Sequence, residues 1–299
     1  MANRKHPILT VIIILAIAIV ILGGMMTLIL SFFGNNSKIS FGEKIGVILI
    51  QGTITDAGTI LMELDRFRRN RGIKAIILRI DSPGGGVGPS QEIYREVLRT
   101  RKEKKVIASL GSVAASGGYY VAASADKIMA NGGTITGSIG VLMEFVRLQD
   151  LLKKIGVTLE VLKSGEFKDM GSPHREMSER ERMLIQHLLS DIQDQFVRAV
   201  ADGRGLSIEM VEKIADGRIF SGAEAMKLGL VDELGNFQDA VNLAKDLSGI
   251  TGEPILVYPK RSRPGLWDIL FRSASESFIK MMERRLNTKV LYERDGYLQ

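Results

Sequence analysis

Apolar runs and helix-like segments alternate along the middle of the chain. Short runs rich in β-branched residues, such as Ile45–Ile50 and Ala75–Ile80, are typical of buried strands. Thr59–Arg71 and Ser90–Arg101 have apolar residues at helical spacing and are predicted helices. The alternation continues with predicted strands at Val106–Leu110, Lys127–Ala130 and Leu159–Leu162, and with a predicted helix at Ser116–Ala125. This pattern predicts an α/β fold with parallel strands joined by crossover connections.

The pattern becomes helical after Ser178. Ser178 and Glu181 have the spacing of a capping box, in which the two side chains bind free backbone amides at the start of a helix. Apolar residues then recur at helical spacing as far as Gly205, which ends the predicted helix. Two shorter helices are predicted after it, the second at Ala223–Leu228.

The N-terminus carries a long uncharged stretch. Residues 8–33 are 26 residues without a charged side chain, and about 20 apolar residues suffice to cross a bilayer. We therefore expect a transmembrane helix. A cleaved signal peptide is the alternative, because Ala16–Ala18 has the form of a small-x-small site, but apolar residues continue well past it. Arg4 and Lys5 precede the stretch, so the short N-terminus is expected in the cytoplasm and the remainder outside it.

These boundaries divide the chain into five parts. We expect a cytoplasmic tail at 1–7, the span at 8–33, a polar linker at 34–43, a globular domain at 44–255 and a basic amphipathic segment at 256–299. The last segment is expected to pack on its own domain or on a neighbouring subunit, with a membrane surface as the alternative.

Composition excludes several classes of function. The chain has 40 lysines and arginines against 34 acidic residues, a net charge of +6 that is too small over 299 residues to indicate a nucleic-acid partner. It has no cysteine, which excludes disulfides, thiolate metal sites and a cysteine nucleophile.

A serine without bulky or charged neighbours lies where a predicted strand is followed by a helix. Ser116 follows Ala114 and Ala115 and precedes Gly117 and Gly118. Glycine lets another segment approach the backbone closely, and the Gly117 amide points to where an oxyanion would form. The simpler interpretation is an N-cap serine that only stabilises the helix. Partner groups are needed to distinguish the two.

One candidate partner is the glycine triplet Gly84, Gly85 and Gly86 in the motif DSPGGG, directly after a predicted strand. Consecutive glycines leave backbone amides uncovered. A phosphate-binding loop is the alternative, but no Gly-Lys-Ser/Thr follows and GxGxxG is absent. The triplet fits an oxyanion site and an edge along which an extended peptide binds.

A serine nucleophile also needs a base, because its hydroxyl reacts poorly at its own pKa. Of the three histidines, His6 precedes the span, His187 lies in the long predicted helix, and His174 in a loop is retained as a candidate. A lysine is the stronger candidate, although such a base requires burial to lower a lysine pKa from about 10.4 toward 7–8. Lys168 has apolar neighbours in sequence, and Lys163 is its competitor.

Several motifs follow one another in a fixed order. They are DSPGGG (81–86), GSVAASGGYYVAASAD (111–126), TGSIGV (136–141), SGEFKDMGSP (164–173) and GRIFSGAEAMKLGLVDELG (217–235). In this order they resemble the signal peptide peptidase SppA family over roughly residues 44–240, in the short form with one N-terminal span known from Gram-positive bacteria. The resemblance implies a Clp protease/crotonase-like spiral of β-β-α units and a peptidase domain at 44–255.

The resemblance also implies a role for each candidate residue. Ser116 matches the nucleophile, Lys168 the general base, and Ser138 a serine that orients the lysine amine. The oxyanion side and the substrate-binding strand are matched by Gly84, Gly85, Gly86 and Gly117. A Ser/Lys dyad of this kind requires no metal, no ATP and no other cofactor.

The partners implied are peptides, the membrane and further copies of the chain. The family's members form membrane-tethered homo-oligomers, often octameric rings, in which each site takes its lysine from a neighbouring subunit. The implied substrates are remnant signal peptides with small or apolar side chains. Two alternatives stay open: a crotonase-like acyl-CoA enzyme, which uses carboxylates, and a non-catalytic membrane scaffold ring in which Ser116 and Lys168 are structural.

Overall fold

The computed structural model describes residues 14–26 and 42–259. Residues 14–26 form a helix with exposed side chains. Within the described residues, no helix combines the length and the apolar character that a membrane crossing requires. The rest of the expected span at 8–33, most of the linker at 34–43 and nearly all of the segment at 256–299 lie outside the described residues.

Strands and helices alternate between Lys44 and Val257. The strands are β1 (Lys44–Gln51), β2 (Ile73–Ser82), β3 (Lys105–Ala115), β4 (Lys127–Ala130), β5 (Ile135–Gly137), β6 (Ile219–Ser221), β7 (Glu233–Leu234) and β8 (Ile255–Val257). The helices are α1 (Gly58–Arg69), α2 (Val87–Arg101), α3 (Gly117–Ala123), α4 (Gln149–Lys154), α5 (Glu179–Arg204), α6 (Ile208–Glu212), α7 (Gly222–Lys227) and α8 (Phe237–Ser248).

The eight strands form one sheet in the order β6-β5-β3-β2-β1-β8, with β4 beside β3 and β7 beside β4. Within the described strands the pairs are parallel except for β5 with β6. Strand β3 pairs first with β4, through Ile107–Ser109, and later with β5, through Val113–Ala115. The end of β3 therefore lies against β5, where Ala115 pairs with Gly137.

Helices cover both faces of the sheet. On one face Ile76 and Leu78 of β2 join a large apolar cluster to which α1, α2, α3 and α5 contribute. On the other face Ala75 and Ile77 pack with Ala240, Val241 and Ala244 of α8. Burial on both faces explains why the strands have continuous apolar runs instead of alternating apolar and polar residues.

Most of the predicted elements are confirmed within a few residues, and the mixed α/β fold with parallel strands is confirmed. The capping box at the start of α5 is also confirmed: the Glu181 amide donates to Ser178 Oγ over 3.3 Å, and the Ser178 amide donates to Glu181 Oε2 over 2.8 Å. Gly205 ends α5 in the left-handed conformation.

The predicted strand at Leu159–Leu162 is wrong. These residues form no strand and are exposed, with Leu162 92 % exposed. A strand needs a neighbour for its backbone groups, and the described part of the chain pairs no other strand with this segment. We call residues 141–162 the apolar arm, because it exposes Leu142, Met143, Phe145, Val146, Leu148, Leu151, Ile155, Val157, Leu159, Val161 and Leu162.

Candidate active site

Ser116 lies in a strained turn between β3 and α3. Its φ of 51° and ψ of −122° are a conformation that costs about 1–3 kcal/mol in a residue with a side chain. Its amide donates to the Gly137 carbonyl over 2.8 Å, and its own carbonyl accepts from the Tyr120 amide over 2.8 Å, so the turn is held from both sides. Although Ser116 occupies the N-cap position, its side chain makes no capping hydrogen bond. The interpretation of Ser116 as a helix cap is therefore wrong.

The glycine triplet lies directly against this turn. Gly84 has a φ of 106°, and a Cβ atom there would lie 2.8 Å from the Gly117 nitrogen and 2.9 Å from the Ser116 Cβ. Such an approach is open only to glycine, because any side chain would push the two segments apart. The structure thus brings the triplet and Ser116 together, as the sequence analysis predicts.

The three amides of the triplet differ in their hydrogen bonds. The Gly84 amide donates to Ser82 Oγ over 3.1 Å, and the Gly86 amide donates to the Ile54 carbonyl over 2.8 Å. The Gly85 amide has no acceptor within the described residues. The Gly117 amide is the first of helix α3 and lacks an intrahelical acceptor. In the described part of the chain, the amides of Gly85 and of Gly117, the residue after Ser116, are therefore free, and the two glycines lie against each other.

Ser138 lies at the end of the strand next to β3. It follows Gly137, whose carbonyl binds the Ser116 amide, and has a φ of 50°. The Ser138 amide donates to the Arg218 carbonyl over 2.8 Å, which fixes its backbone. Parallel pairing of β3 with β5 thus brings the two candidate serines to the same edge of the sheet.

Lys168 lies in a turn after the apolar arm, and its side chain is exposed. Its amide donates to the Gly165 carbonyl over 3.2 Å, while its ammonium makes no hydrogen bond or ion pair with any described residue. The described structure of a single chain therefore holds Ser116, Ser138 and the glycines together but leaves the amine of Lys168 in solvent.

A charged network surrounds this turn. Arg175 donates to both carboxylate oxygens of Asp169, over 2.8 and 2.7 Å, and also to the carboxylate of Glu181. The hydrogen bonds from Arg175 and Lys163 hold the pKa of Asp169 far below its usual range. Arg175, followed by the Ser178 amide, lowers the pKa of Glu181 to about 2.

The competing bases among the described residues are hydrogen-bonded to neighbours in their own loop or exposed on a helix. The Lys163 ammonium donates to the Glu166 carbonyl over 2.7 Å and to Asp169 Oδ1 over 2.6 Å, so it offers no free amine. The His174 ring is 2.6 Å from Ser172 Oγ, a partner within its own loop. His187 is exposed on α5. Of the two candidate lysines, Lys163 has side-chain partners, whereas Lys168 has none among the described residues.

Two residues of the site, Ile54 and Arg175, were not predicted from the sequence. Ile54 bridges to the triplet and determines which glycine amides are occupied. Arg175 links the loop of Lys168 to α5. The only sequence signal for this link is Glu181, which was recognised as part of a capping box. No cluster of His, Cys, Asp or Glu suited to a metal ion occurs within the described parts of the chain.

An unpaired serine hydroxyl in a strained strand-to-helix turn, beside two free backbone amides, is the arrangement found at the nucleophile of serine hydrolases. Comparison with known proteins makes the assignment specific. The sequence matches peptidase family S49 over residues 99–251, about half of the 299-residue chain, and the Clp protease family over residues 39–133. The chain belongs to peptidase family S49 and is a serine peptidase.

Individual relatives agree with the family. A Synechocystis protein named as a protease is 44% identical over 221 residues, which cover 73% of this chain and 79% of the relative. A Methanocaldococcus jannaschii protein named as a protease is 34% identical over 89% of this chain and 91% of its own length. An Enterococcus faecium protein named as signal peptide peptidase SppA is 36% identical over 72% of this chain and 67% of its own length.

Proposed function

We propose that this protein is a membrane-anchored serine endopeptidase in which Ser116 is the nucleophile and Lys168 the general base. The observation that supports this most strongly is the environment of Ser116: its hydroxyl has no partner within the described residues, and the free amides of Gly85 and Gly117 lie beside it. A nucleophilic serine needs an accessible hydroxyl that no other group of the protein engages.

The reaction proceeds through an acyl-enzyme. The neutral Lys168 amine takes the proton of Ser116 Oγ as the oxygen attacks the peptide carbonyl carbon. The Gly85 and Gly117 amides donate to the resulting oxyanion, and one such donor contributes about 3–4 kcal/mol where it has been measured. The protonated amine then gives its proton to the leaving nitrogen as the peptide bond breaks. Water, deprotonated by the same amine, hydrolyses the ester and restores Ser116.

The base and the nucleophile come from neighbouring subunits in this proposal. The exposed Lys168 ammonium without a partner supports it, because a lysine acts as a base near neutral pH only where it is desolvated. The apolar arm, which leads directly to the loop of Lys168, gives further support. Its exposed side chains, such as Leu162 and Leu142, form an apolar surface suited to contact with another copy of the chain. We propose a homo-oligomeric ring, as in the octameric members of the family.

The membrane anchor and the substrate are parts of the same proposal. The uncharged residues 8–33 support an N-terminal span, with the peptidase domain outside the cytoplasm. The relative named signal peptide peptidase SppA supports remnant signal peptides as substrates. These peptides are apolar and remain in the membrane, where a tethered peptidase meets them. Extended peptides are proposed to bind along the edge at Gly84, Gly85 and Gly86.

Cleavage kinetics test the dyad. The full-length protein in detergent is assayed with a fluorogenic peptide carrying small apolar side chains, alongside Ser116→Ala, Lys168→Ala and the control Lys102→Ala. Lys102 is an exposed residue directly after α2, outside the site and the apolar arm. Loss of cleavage in the first two variants and retention in the control supports the dyad, and full cleavage by Lys168→Ala refutes it.

The same assay distinguishes the two alternatives. Neither a scaffold nor an acyl-CoA enzyme of the crotonase type cleaves the peptide in the wild type. With an acyl-CoA substrate in parallel, the crotonase-type enzyme retains activity after Ser116→Ala because it needs no nucleophile, whereas a scaffold is inactive toward both substrates. The match to peptidase family S49 favours the peptidase over both.

A further inference from the structure

We propose that Arg175 is a positioning residue for Lys168: it fastens the loop that carries the catalytic lysine to the first turn of α5. This inference rests on the proposed dyad and assigns a role to a residue outside it. Arg175 itself touches neither Ser116 nor the oxyanion amides in the described contacts.

The first half of the link joins Arg175 to the residue next to the lysine. Asp169 directly follows Lys168, and its carboxylate receives two parallel hydrogen bonds from Arg175, Nε over 2.8 Å and Nη2 over 2.7 Å. Lys163 donates to the same carboxylate over 2.6 Å. The Asp169 side chain is only 13% exposed. The backbone of Lys168 is therefore fixed on its C-terminal side, because Asp169 binds Arg175 through two hydrogen bonds and Lys163 through a third.

The second half joins Arg175 to a helix that is part of the core. Arg175 Nη1 donates to Glu181 Oε2 over 2.9 Å, and Nη2 donates to the other oxygen. The Glu181 side chain is only 4% exposed and closes the capping box with Ser178. Because α5 packs into the main apolar cluster through residues such as Phe196 and Val200, Glu181 is a fixed point.

The two halves meet on one guanidinium. Arginine can hold two carboxylates at once because its donors form a rigid planar fork, whereas a lysine ammonium acts as a point charge without that geometry. Arg175 also donates to the Glu176 carbonyl over 3.0 Å and to the Asp169 carbonyl over 3.3 Å. These hydrogen bonds further restrict the orientation of its guanidinium group. Without the arginine, Asp169 would keep Lys163 as its cation, whereas Glu181 would have no cationic partner among the described residues.

The consequence for catalysis follows from the state of Lys168. Its ammonium makes no hydrogen bond or ion pair with the described residues, so the direction of the side chain depends on the backbone of the loop. Displacing a catalytic group by about 1 Å costs on the order of 100-fold in rate. A lysine amine that is displaced from its position in the active site also stays hydrated, and hydration favours its protonated form. Loss of Arg175 therefore reduces both the placement and the neutral fraction of the base.

The test is a pH–rate profile of peptide cleavage by full-length Arg175→Ala in detergent. We expect kcat to fall about 10- to 100-fold at neutral pH with a KM change below about threefold, and the rising limb of kcat to move to higher pH. Arg175→Lys should be intermediate. If the loss of kcat becomes smaller at high pH, Arg175 has a positioning role. A purely structural defect lowers kcat equally at every pH and leaves the shape of the profile unchanged.

Two further variants make the result decisive. Arg69→Ala is the matched control, since Arg69 pairs with Asp65 over 2.8 Å on the exposed surface of α1, and its profile should equal the wild type. Asp169→Asn keeps the pairing of Arg175 with Glu181 and the size of the side chain, so it covers the case in which Arg175→Ala does not fold. Asp169→Asn should shift the rising limb of the kcat–pH profile to higher pH, as Arg175→Ala does.

A folded, assembled Arg175→Ala protein with the wild-type profile overturns the inference, as does an unshifted profile in Asp169→Asn. A different result would refute the dyad itself: Lys168→Ala would then cleave the peptide like the wild type. The proposed role of Arg175 would be refuted with it.

Discussion

Ser116 and Ser138 leave two neighbouring parallel strands one residue after the pair Ala115–Gly137, and both have a positive φ, 51° and 50°. The Gly137 carbonyl joins the two turns by accepting from the Ser116 amide over 2.8 Å. Non-glycine residues rarely adopt this conformation, and when they do the strain commonly occurs at functional sites. The two serines thus form one strained edge, and the proposed chemistry takes place there.

The strain at Ser116 has a measurable effect on stability. Ser116→Gly removes the side chain from a backbone conformation that glycine adopts freely, whereas Ser116→Ala keeps a Cβ atom in it. After allowing for the greater freedom of glycine in the unfolded chain, the glycine variant should be more stable than the alanine variant by about 1 kcal/mol. Urea unfolding of both full-length variants measures the difference. A more stable alanine variant would show that the turn is not strained.

The contact between the triplet and the serine turn predicts a severe loss of activity in Gly84→Ala. The new methyl group would lie 2.8 Å from the Gly117 nitrogen and 2.9 Å from the Ser116 Cβ, at a φ of 106°. Separating the segments moves an oxyanion donor, so we expect kcat/KM to fall at least about 100-fold.

Gly88→Ala is the matched control for Gly84→Ala. It lies in the first turn of α2 with no atom within 4 Å of the new methyl group, and it should retain wild-type kinetics. An equal fall in kcat/KM in both variants would show that the close approach of Gly84 to Ser116 and Gly117 is not required for activity.

Local pattern was sufficient to predict most of this fold. The strands around Ile77 and Ile107 were predictable because burial on both faces gives continuous apolar runs, and α5 because its capping box and apolar spacing lie within one stretch of sequence. Ser116 could be found because its small neighbours, Gly117 and Gly118, are adjacent to it. Each of these signals involves residues close together in the chain.

The features that were missed depend on contacts that the periodicity of the sequence does not indicate. The free amide of Gly85 depends on Ile54, about thirty positions earlier, which occupies the Gly86 amide. The charges at Asp169 and Arg175 resemble an ordinary solvated loop until the fold places Glu181 beside them. Leu159–Leu162 has the composition of a strand but no neighbour within the described chain, and sequence cannot tell a paired strand from an unpaired one.

A shared site predicts complementation between two inactive proteins. Ser116→Ala and Lys168→Ala should each be inactive alone, but their co-expression should restore cleavage, because a mixed assembly contains interfaces with both an intact serine and an intact lysine. With random assembly about one quarter of the sites are intact, as each partner has an even chance of being functional. The rate of peptide cleavage by the co-purified mixture, relative to the wild type, measures the fraction of intact sites. No recovery in an assembly verified as mixed would place both residues in the same subunit.

The capping box and Arg175 predict how stability varies with pH. Glu181 has its pKa lowered from 4.5 to about 2, mainly by Arg175 and then by the Ser178 amide. A carboxyl group with a lowered folded-state pKa stabilises the fold above its unfolded pKa, and this contribution is lost as pH falls through the folded value. Glu181→Gln should therefore lower Tm at pH 7, and the difference from wild type should shrink between about pH 4.5 and 2.

Glu179→Gln is the control for this experiment. Its side chain is 85% exposed and lies 3.5 Å from Arg182, so its Tm should follow the wild type across the range. A Glu181→Gln deficit that is the same at pH 7 and pH 2.5 would show that the carboxylate charge is not the stabilising feature.

Covalent labelling shows whether the Ser116 hydroxyl is a nucleophile activated by the Lys168 amine. A fluorophosphonate is incubated with the assembled full-length protein, and the adduct is located by mass spectrometry. We predict one label on Ser116, none in Ser116→Ala, and labelling at least about 100-fold slower in Lys168→Ala. An adduct on another residue, or labelling of Ser116 at an unchanged rate in Lys168→Ala, would rule out the Ser116–Lys168 dyad.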